Sequence, residues 1–107
     1  MSFDFQGDEA LRGRVTRALT RVVDPEMSLD IVNLGLVIGV RAVAGSAEVR
    51  MTMTSAACPV AEIIMADVAD SLRRELGEDF AVDVQLVWDP PWTPEHMSER
   101  ARAVMGW

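Results

Sequence analysis

The residue best suited to chemistry is Cys58, the only cysteine of the chain, which stands directly before Pro59. Polar and apolar residues alternate before it, which predicts a strand that ends near Thr54, with Thr52 and Thr54 among the polar side chains on its wet face. From Pro59 to Leu76, apolar residues recur every three or four positions, which predicts an amphipathic helix. Cys58 is therefore expected at the helix N-cap, where a thiol becomes a better nucleophile and metal ligand. The alternative is a small buried apolar residue, as many lone cysteines are.

A second set of polar residues lies between the first predicted helix and the first long strand. Its oxygen-bearing side chains belong to Asp24, Glu26, Asp30 and Asn33. They could bind a hard metal ion, accept a proton from a nearby thiol, or serve only as turn and cap residues. The spacing alone favours the turn and cap role and leaves the other two open.

The composition excludes several classes of function. The formal net charge is -7, with 17 acidic against 10 basic residues, and no basic run is present, so nucleic-acid binding is not expected. No signal-like segment and no run of some twenty apolar residues occurs, which predicts a soluble cytoplasmic protein with no membrane partner. One cysteine allows neither an internal disulfide nor a self-sufficient cysteine-rich zinc or iron-sulfur site, so a metal or cluster would be shared, transient or bound with help from oxygen ligands.

The remaining patterns predict a single domain over residues 8–107, preceded by a flexible lead over residues 1–7. A first helix should begin after Asp8 as its N-cap and end near Val23, because the residue before Pro25 avoids helical dihedrals. Its arginines are expected to form a solvated face that could also receive an acidic partner; they are Arg12, Arg14, Arg17 and Arg21.

The strand pattern places a hairpin before the central helix and a third strand after it. Residues 36–43 and 47–54 alternate on either side of a turn at residues 44–46, and residues 82–88 alternate again. Because a helix intervenes, the third strand is expected to run parallel to the second. With a final helix from Thr93 to about Met105, the prediction is a two-layer α/β (α+β) sandwich in the order α-β-β-α-β-α, with a small mixed sheet.

The segment before the final helix combines prolines and tryptophans, which fix its shape at low entropic cost. Trp88 is assigned to the core, whereas Trp92, next to Pro91, is left open between core closure and partner binding. His96 is expected at a solvated helix position.

Three blocks of this sequence together carry a resemblance to a known family. They are Asp24-Pro25-Glu26 with residues 31–37, Thr54 with Cys58-Pro59, and residues 88–92 with Met97-Ser98. From about residue 11 onward the chain resembles the small metal-sulfur cluster assembly proteins, the SufT and PaaD-like family, which is related to the cytosolic iron-sulfur targeting factors of eukaryotes.

The resemblance implies an accessory factor, not a conventional enzyme, that assembles or delivers iron-sulfur clusters. No permanent cofactor is implied, only a transient cluster or iron held by Cys58 with a second chain or a partner. The implied partners are scaffold or SUF-type assembly proteins and client apoproteins, with a homodimer as a further expectation. The site residues carried over are Asp24 and Glu26 beside the thiol, Thr54 and Asn33 at the cofactor, and Pro91 and Trp92 at a partner.

The chain departs from the family pattern in three places. Asn33 stands where an aspartate is common, which weakens a cation-binding role, and Ala57 replaces the usual glycine before the cysteine. The chain also ends at Trp107 without the cysteine-bearing extension of PaaD proteins proper, so the shorter SufT-like branch is expected.

Two alternatives from other classes remain. Cys58 could be the nucleophile of a thiol enzyme with Asp24 or Glu26 as base, although no resolving cysteine is present. Alternatively, the chain could be an interaction module with an incidental cysteine, which binds its partner through Trp92 and the arginine face.

Overall fold

The computed structural model describes residues 3–25, 28–53, 58–88 and 91–106, with the backbone alone at residues 58–60. The elements, in chain order, are β1 Asp4–Gly7, α1 Glu9–Thr20, β2 Val23–Asp24, β3 Leu29–Asp30, α2 Ile31–Leu34, β4 Val37–Val43, β5 Ser46–Met51, α3 Cys58–Leu76, β6 Ala81–Leu86, a 3-10 turn Pro94–His96 and α4 Glu99–Met105.

The main sheet is mixed and has the strand order β1-β4-β5-β6. β4 and β5 form the predicted antiparallel hairpin, in which Val40 lies opposite Val49. β6 pairs in parallel with β5, as predicted from the intervening helix, and Val49 lies opposite Val84. A separate two-stranded ladder joins β2 and β3. The mixed α/β fold class is therefore confirmed.

The core lies between this sheet and a layer of helices. α1 and α3 pack against each other, and both contact the sheet. Strand residues that alternate along β5 turn into this core, since Ala47, Val49 and Met51 are all buried. The opposite face of the sheet is polar, because Arg41, Glu48 and Asp83 lie side by side across three strands. One covered and one open face is the expected arrangement for an amphipathic sheet.

α1 begins as predicted and ends earlier than predicted. The Asp8 carboxylate accepts a hydrogen bond from the Ala10 backbone N–H at 3.0 Å, which confirms the N-cap. The helix ends at Thr20 rather than near Val23, because Val23 pairs with Asp30 in the β2–β3 ladder. The periodic apolar pattern extends through these residues whether they are helical or not, so the pattern alone does not locate this end.

The arginines of α1 face α3 as well as solvent. Arg14, Arg17 and Arg21 converge on the Glu75 carboxylate at nitrogen–oxygen distances of 3.9, 3.8 and 3.4 Å. Nearby, the Ser71 hydroxyl donates to the Ala18 carbonyl at 2.7 Å. All four arginines are exposed, as predicted for a solvated face, and three of them also link the two helices.

The residues assigned to an N-terminal lead contain a strand. Asp4–Gly7 pairs in parallel with β4, so that Phe5 lies opposite Val40. Phe3 and Phe5 both pack against the core. A four-residue strand is too short to give a clear alternating pattern, which is why sequence reasoning missed it.

The predicted final helix is divided into two elements. Thr93 caps the 3-10 turn Pro94–His96, and a second cap, Ser98, then begins α4 by accepting from the Ala101 backbone N–H at 3.1 Å. Between them, Met97 is extended and buried. The helix is broken at the position where Met97 is buried. The residues from Pro94 to Met105 are all compatible with a helix, so the sequence does not predict this break. In the described part of the chain, no helix is both long and apolar enough to cross a membrane.

Candidate functional site

The centre of the candidate site is the segment of residues 30–36, here called the α2 junction. The Asp30 carboxylate caps α2 by accepting from the Asn33 backbone N–H at 3.0 Å. The helix ends at Gly35, which has a φ of 78°, a left-handed conformation that glycine adopts without strain. The chain then continues through Leu36 into β4. This short capped turn exposes backbone carbonyls that other segments use.

Asn33 ties the α2 junction to α4. Its amide nitrogen donates to the Asp30 carboxylate at 2.6 Å, and its amide oxygen accepts from the Ser98 hydroxyl at 2.8 Å. The Ser98 backbone N–H also donates to the Asn33 carbonyl at 2.8 Å. An aspartate at position 33 could not donate to Asp30, so the amide fits this particular neighbour. The cofactor role assigned to Asn33 stays a prediction, but its side chain has a clear structural role.

Trp92 and His96 pack against the same junction. The Trp92 indole N–H donates to the Leu34 carbonyl at 2.7 Å, and the ring packs against the core. A side chain at Gly35 would collide with the His96 backbone. The third sequence block is therefore folded directly onto the first. His96 itself is exposed, as predicted, and its ring nitrogen accepts from the Thr93 backbone N–H.

Of the two tryptophans in the third block, Trp88 is more exposed than the sequence predicts, and Trp92 is the one that packs against the core. Trp88 lies just beyond β6 and is 49% exposed, which corrects its assignment to the core. Trp92 is half-buried, and Pro91 is exposed. The alternating pattern continues through residue 88 although the strand ends at Leu86, so the pattern alone misplaces Trp88. The partner role of Trp92 and Pro91 stays a prediction.

The α2 junction also touches the strand that leads to the cysteine. The Thr52 backbone N–H donates to the Leu36 carbonyl at 2.8 Å. The Thr52 side chain is expected on the wet face, but it is only 2% exposed, and its hydroxyl has no hydrogen-bond partner among the described residues. A buried hydroxyl without a hydrogen-bond partner costs about 1–3 kcal/mol, so the described contacts give this side chain no stabilising role. Sequence reasoning missed this residue because burial after the end of a strand leaves no periodic signal.

Cys58 is the first residue of α3, one position further into the helix than the predicted N-cap. Helix ends assigned from backbone geometry shift by one or two residues, and the first turn keeps unpaired N–H groups in either case. β5 and β6 run in the same direction and finish at the same end of the sheet, since the Val87 N–H donates to the Met51 carbonyl at 2.8 Å. α3 begins from that end. Thr54 lies outside the described residues, as does Glu26, so their predicted roles stay predictions.

Asp24 is the acidic residue of the first block that the structure describes. It is 2% exposed, although carboxylates are seldom buried without a partner, and it does take part in an interaction here. It lies in the β2–β3 ladder opposite Leu29. Its carbonyl also accepts from the Ser28 backbone N–H at 2.8 Å, which closes the turn of that ladder. Asp24 is therefore a buried acidic residue that pairs with Leu29, the residue directly before the α2 junction.

No group of three or more histidine, cysteine, aspartate or glutamate residues able to hold a metal ion occurs among the described residues. The expectation of a shared or transient metal is not tested by this observation. What the geometry brings together is the first block, the third block and the strand that leads to the second.

Comparison with known proteins identifies the family of this mixed α/β domain. A family model described as iron-sulfur cluster assembly protein matches residues 12–86. The chain is 44% identical over 100 residues to the Fe-S protein maturation auxiliary factor YitW of Bacillus subtilis, which covers 92% of this chain and 97% of that one. It is 42% identical over 86 residues to the auxiliary factor SufT of Staphylococcus aureus, covering 79% and 97%.

A solved structure shows the same fold. A crystal structure of a domain of unknown function from Bacillus anthracis superimposes with a TM-score of 0.85 at 42% identity, covering 92% of this chain and 93% of that one. The chain belongs to the SufT and PaaD-like family of iron-sulfur cluster assembly proteins.

Proposed function

We propose that this protein is an accessory factor in the maturation of iron-sulfur proteins and that it acts through Cys58. The proposal is supported by the relatives named as Fe-S protein maturation auxiliary factors. The single observation that carries it is that the first and third family blocks, and the strand that leads to the second, meet at the α2 junction. Folding needs only a packed core there, whereas the buried Thr52 hydroxyl, for which the described residues supply no hydrogen-bond partner, adds a cost to folding.

In this account Cys58 contacts iron, sulfide or a client thiolate at the start of α3. The unpaired N–H groups and the dipole of the first helical turn favour the thiolate over the thiol. Asp24 or Glu26 orients the thiol or accepts its proton, after which the sulfur binds iron. The cluster is cargo in this step and not a resident cofactor. Thr52 and Thr54 lie on the segment that leads to the cysteine and position it.

A single thiol cannot hold a cluster alone, because iron-sulfur clusters are held by about four ligands. The remaining ligands come from a partner, which is a scaffold or SUF-type assembly protein or a client apoprotein in the cytoplasm. Partner contact involves Pro91 and Trp92, together with two exposed apolar residues, Trp88 just beyond β6 and Ile63 on α3. Their exposed fractions are 49% and 54%, and large exposed apolar side chains are typical of docking surfaces.

The test is anaerobic addition of ferrous iron and sulfide to the purified protein in the presence of an apoprotein client. We expect faster or more complete cluster formation on the client with the natural protein and none of this gain with Cys58→Ser. Val104→Ser is the matched control, because it introduces the same residue at an exposed position on α4. Equal gain from Cys58→Ser and the natural protein would contradict the role of the thiol.

A further inference from the structure

β6 forms one outer edge of the main sheet, and no described strand pairs with its free side. Ala81 and Val87 donate their backbone N–H groups toward β5, to Gly45 and Met51. In a parallel ladder alternate residues point the same way, so the backbone groups of Val82, Val84 and Leu86 point outward. The edge therefore offers three N–H and C=O pairs to another strand, and open edges of this kind pair readily.

The side chains of the same three residues are incompletely covered. Val82, Val84 and Leu86 are half-buried, although the β5 residues opposite them are buried. The helix layer thus ends short of this edge of the sheet. Asp83 is the one charged residue of β6, on the open polar face of the sheet. A strand added to this edge would bury apolar area and would meet little opposing charge.

We propose that β6 pairs antiparallel with β6 of a second copy of this chain, about a two-fold axis at Val84. A matching apolar face on both copies requires that inward-facing residues lie opposite inward-facing residues. Centring the pair on Val84 meets this condition and uses every outward backbone group, giving about six hydrogen bonds. Centring it on Asp83 gives only about four and sets two carboxylates directly opposite each other, which is unfavourable.

The side chains across this register are complementary. Val84 meets its own counterpart, and Val82 meets Leu86 of the second copy, so the uncovered apolar strip is covered. On the polar face Asp83 lies opposite Gln85 of the second copy. Within one chain the Gln85 amide already donates to one Asp83 oxygen at 2.9 Å, so this amide is suited to a carboxylate and the other oxygen is left for the second copy.

The geometry has a consequence for cluster binding, and this part rests on the proposed function. The two β6 strands run in opposite directions, so the two α3 starts lie at opposite ends of the joined sheet. The two Leu86 residues alone are separated by about 14 Å along the strands. A metal–thiolate bond is about 2.3 Å long, so the two Cys58 residues could not share one cluster in this dimer. Each thiol would serve its own partner.

The register is tested by disulfide formation in a Cys58→Ser background without iron. The Cα atoms of a hydrogen-bonded antiparallel pair lie about 5.5 Å apart, which permits a disulfide. Val84→Cys should therefore form a covalent dimer on mild oxidation. Val82→Cys is the control, since its two copies would lie about 14 Å apart and should stay monomeric in a denaturing gel. Equal cross-linking of both variants would overturn the register.

The association itself is tested by sedimentation equilibrium, again in the Cys58→Ser background. Gln85→Asp would put two acidic residues opposite each other and should weaken the dimer by about 3- to 30-fold, whereas Gln85→Lys should strengthen it. A mass that remains monomeric up to about 1 mM would overturn the proposal. The natural protein measured in parallel should dimerise without iron as well; a dimer of the natural protein that forms only with iron, while Cys58→Ser stays monomeric, would overturn the proposal in favour of a cluster-bridged pair. Because the thiol is absent from the Cys58→Ser variants, their results are independent of whether Cys58 acts on clusters.

Discussion

Asn33→Asp should destabilise the protein because it would place a carboxylate against the Asp30 carboxylate. The Asn33 amide nitrogen now lies 2.6 Å from the Asp30 oxygen that it donates to. Two unit charges about 4 Å apart repel by about 4 kcal/mol at an effective dielectric constant of about 20, and partial exposure lowers this figure. With the lost hydrogen bond, worth about 1 kcal/mol, we expect the free energy of unfolding to fall by about 2–4 kcal/mol at pH 7.

The sign of the pH dependence follows from the same contact. In the folded variant a proton shared between the two carboxyls restores a donor, so the folded state binds this proton more tightly than the unfolded state does. The penalty should therefore be full at pH 7 and should shrink as the pH is lowered toward the ordinary carboxyl range near 4. Urea denaturation of the variant and the natural protein at several pH values measures this difference.

The matched control exchanges the two side chains. The double variant Asp30→Asn/Asn33→Asp again has one donor and one acceptor, and asparagine is as good an N-cap as aspartate. We expect it to recover all but about 1 kcal/mol of the loss. The reasoning is refuted if Asn33→Asp lies within about 0.5 kcal/mol of the natural protein, or if the double variant is no more stable than the single one.

Three further predictions concern the contacts around the α2 junction. Thr52→Val removes, at nearly constant volume, a buried hydroxyl for which the described residues supply no partner. We expect unchanged or higher thermal stability, by up to about 1 kcal/mol, with reduced cluster formation on a client; lower stability would contradict this. Trp92→Phe deletes the N–H that donates to Leu34 and should cost about 1–3 kcal/mol in chemical denaturation, whereas no loss would mean that the 2.7 Å contact is unimportant. Gly35→Ala should lower the melting temperature by more than 10 °C, which corresponds to roughly 2 kcal/mol or more. The reason is that Gly35 has a positive φ and that the new side chain would collide with the His96 backbone. A smaller shift would contradict the close packing.

The sequence predicts well those elements whose residues follow a long regular pattern. The central helix, the hairpin before it and the parallel strand after it were all predicted correctly, as was Asp8 as an N-cap. In these elements local preference, apolar periodicity and turn chemistry agree with the fold. The family resemblance, carried by three short blocks, was likewise confirmed by comparison.

The errors fall where tertiary contacts decide the structure. β1 is four residues long, and the extent of α1 is set by a strand pair rather than by its own pattern. Thr52 and Trp88 were assigned to the wrong environments, because burial beyond the end of a strand depends on neighbours that a period of two does not describe. The break before Ser98 follows from the need to bury Met97 and to bond Asn33. The site contacts across the α2 junction join residues some 60 positions apart and leave no local signal.

The most direct test of the account is the loading of iron-sulfur enzymes in cells that depend on this protein. Cells that lack it would be supplied with the natural protein, Cys58→Ser or the surface control Val104→Ser at equal abundance, and the iron content and activity of a cluster-containing enzyme would be measured. We predict full loading with the natural protein and with Val104→Ser, and loading no better than in the depleted cells with Cys58→Ser. Full loading with Cys58→Ser would contradict the central claim that the thiol at the start of α3 carries the function.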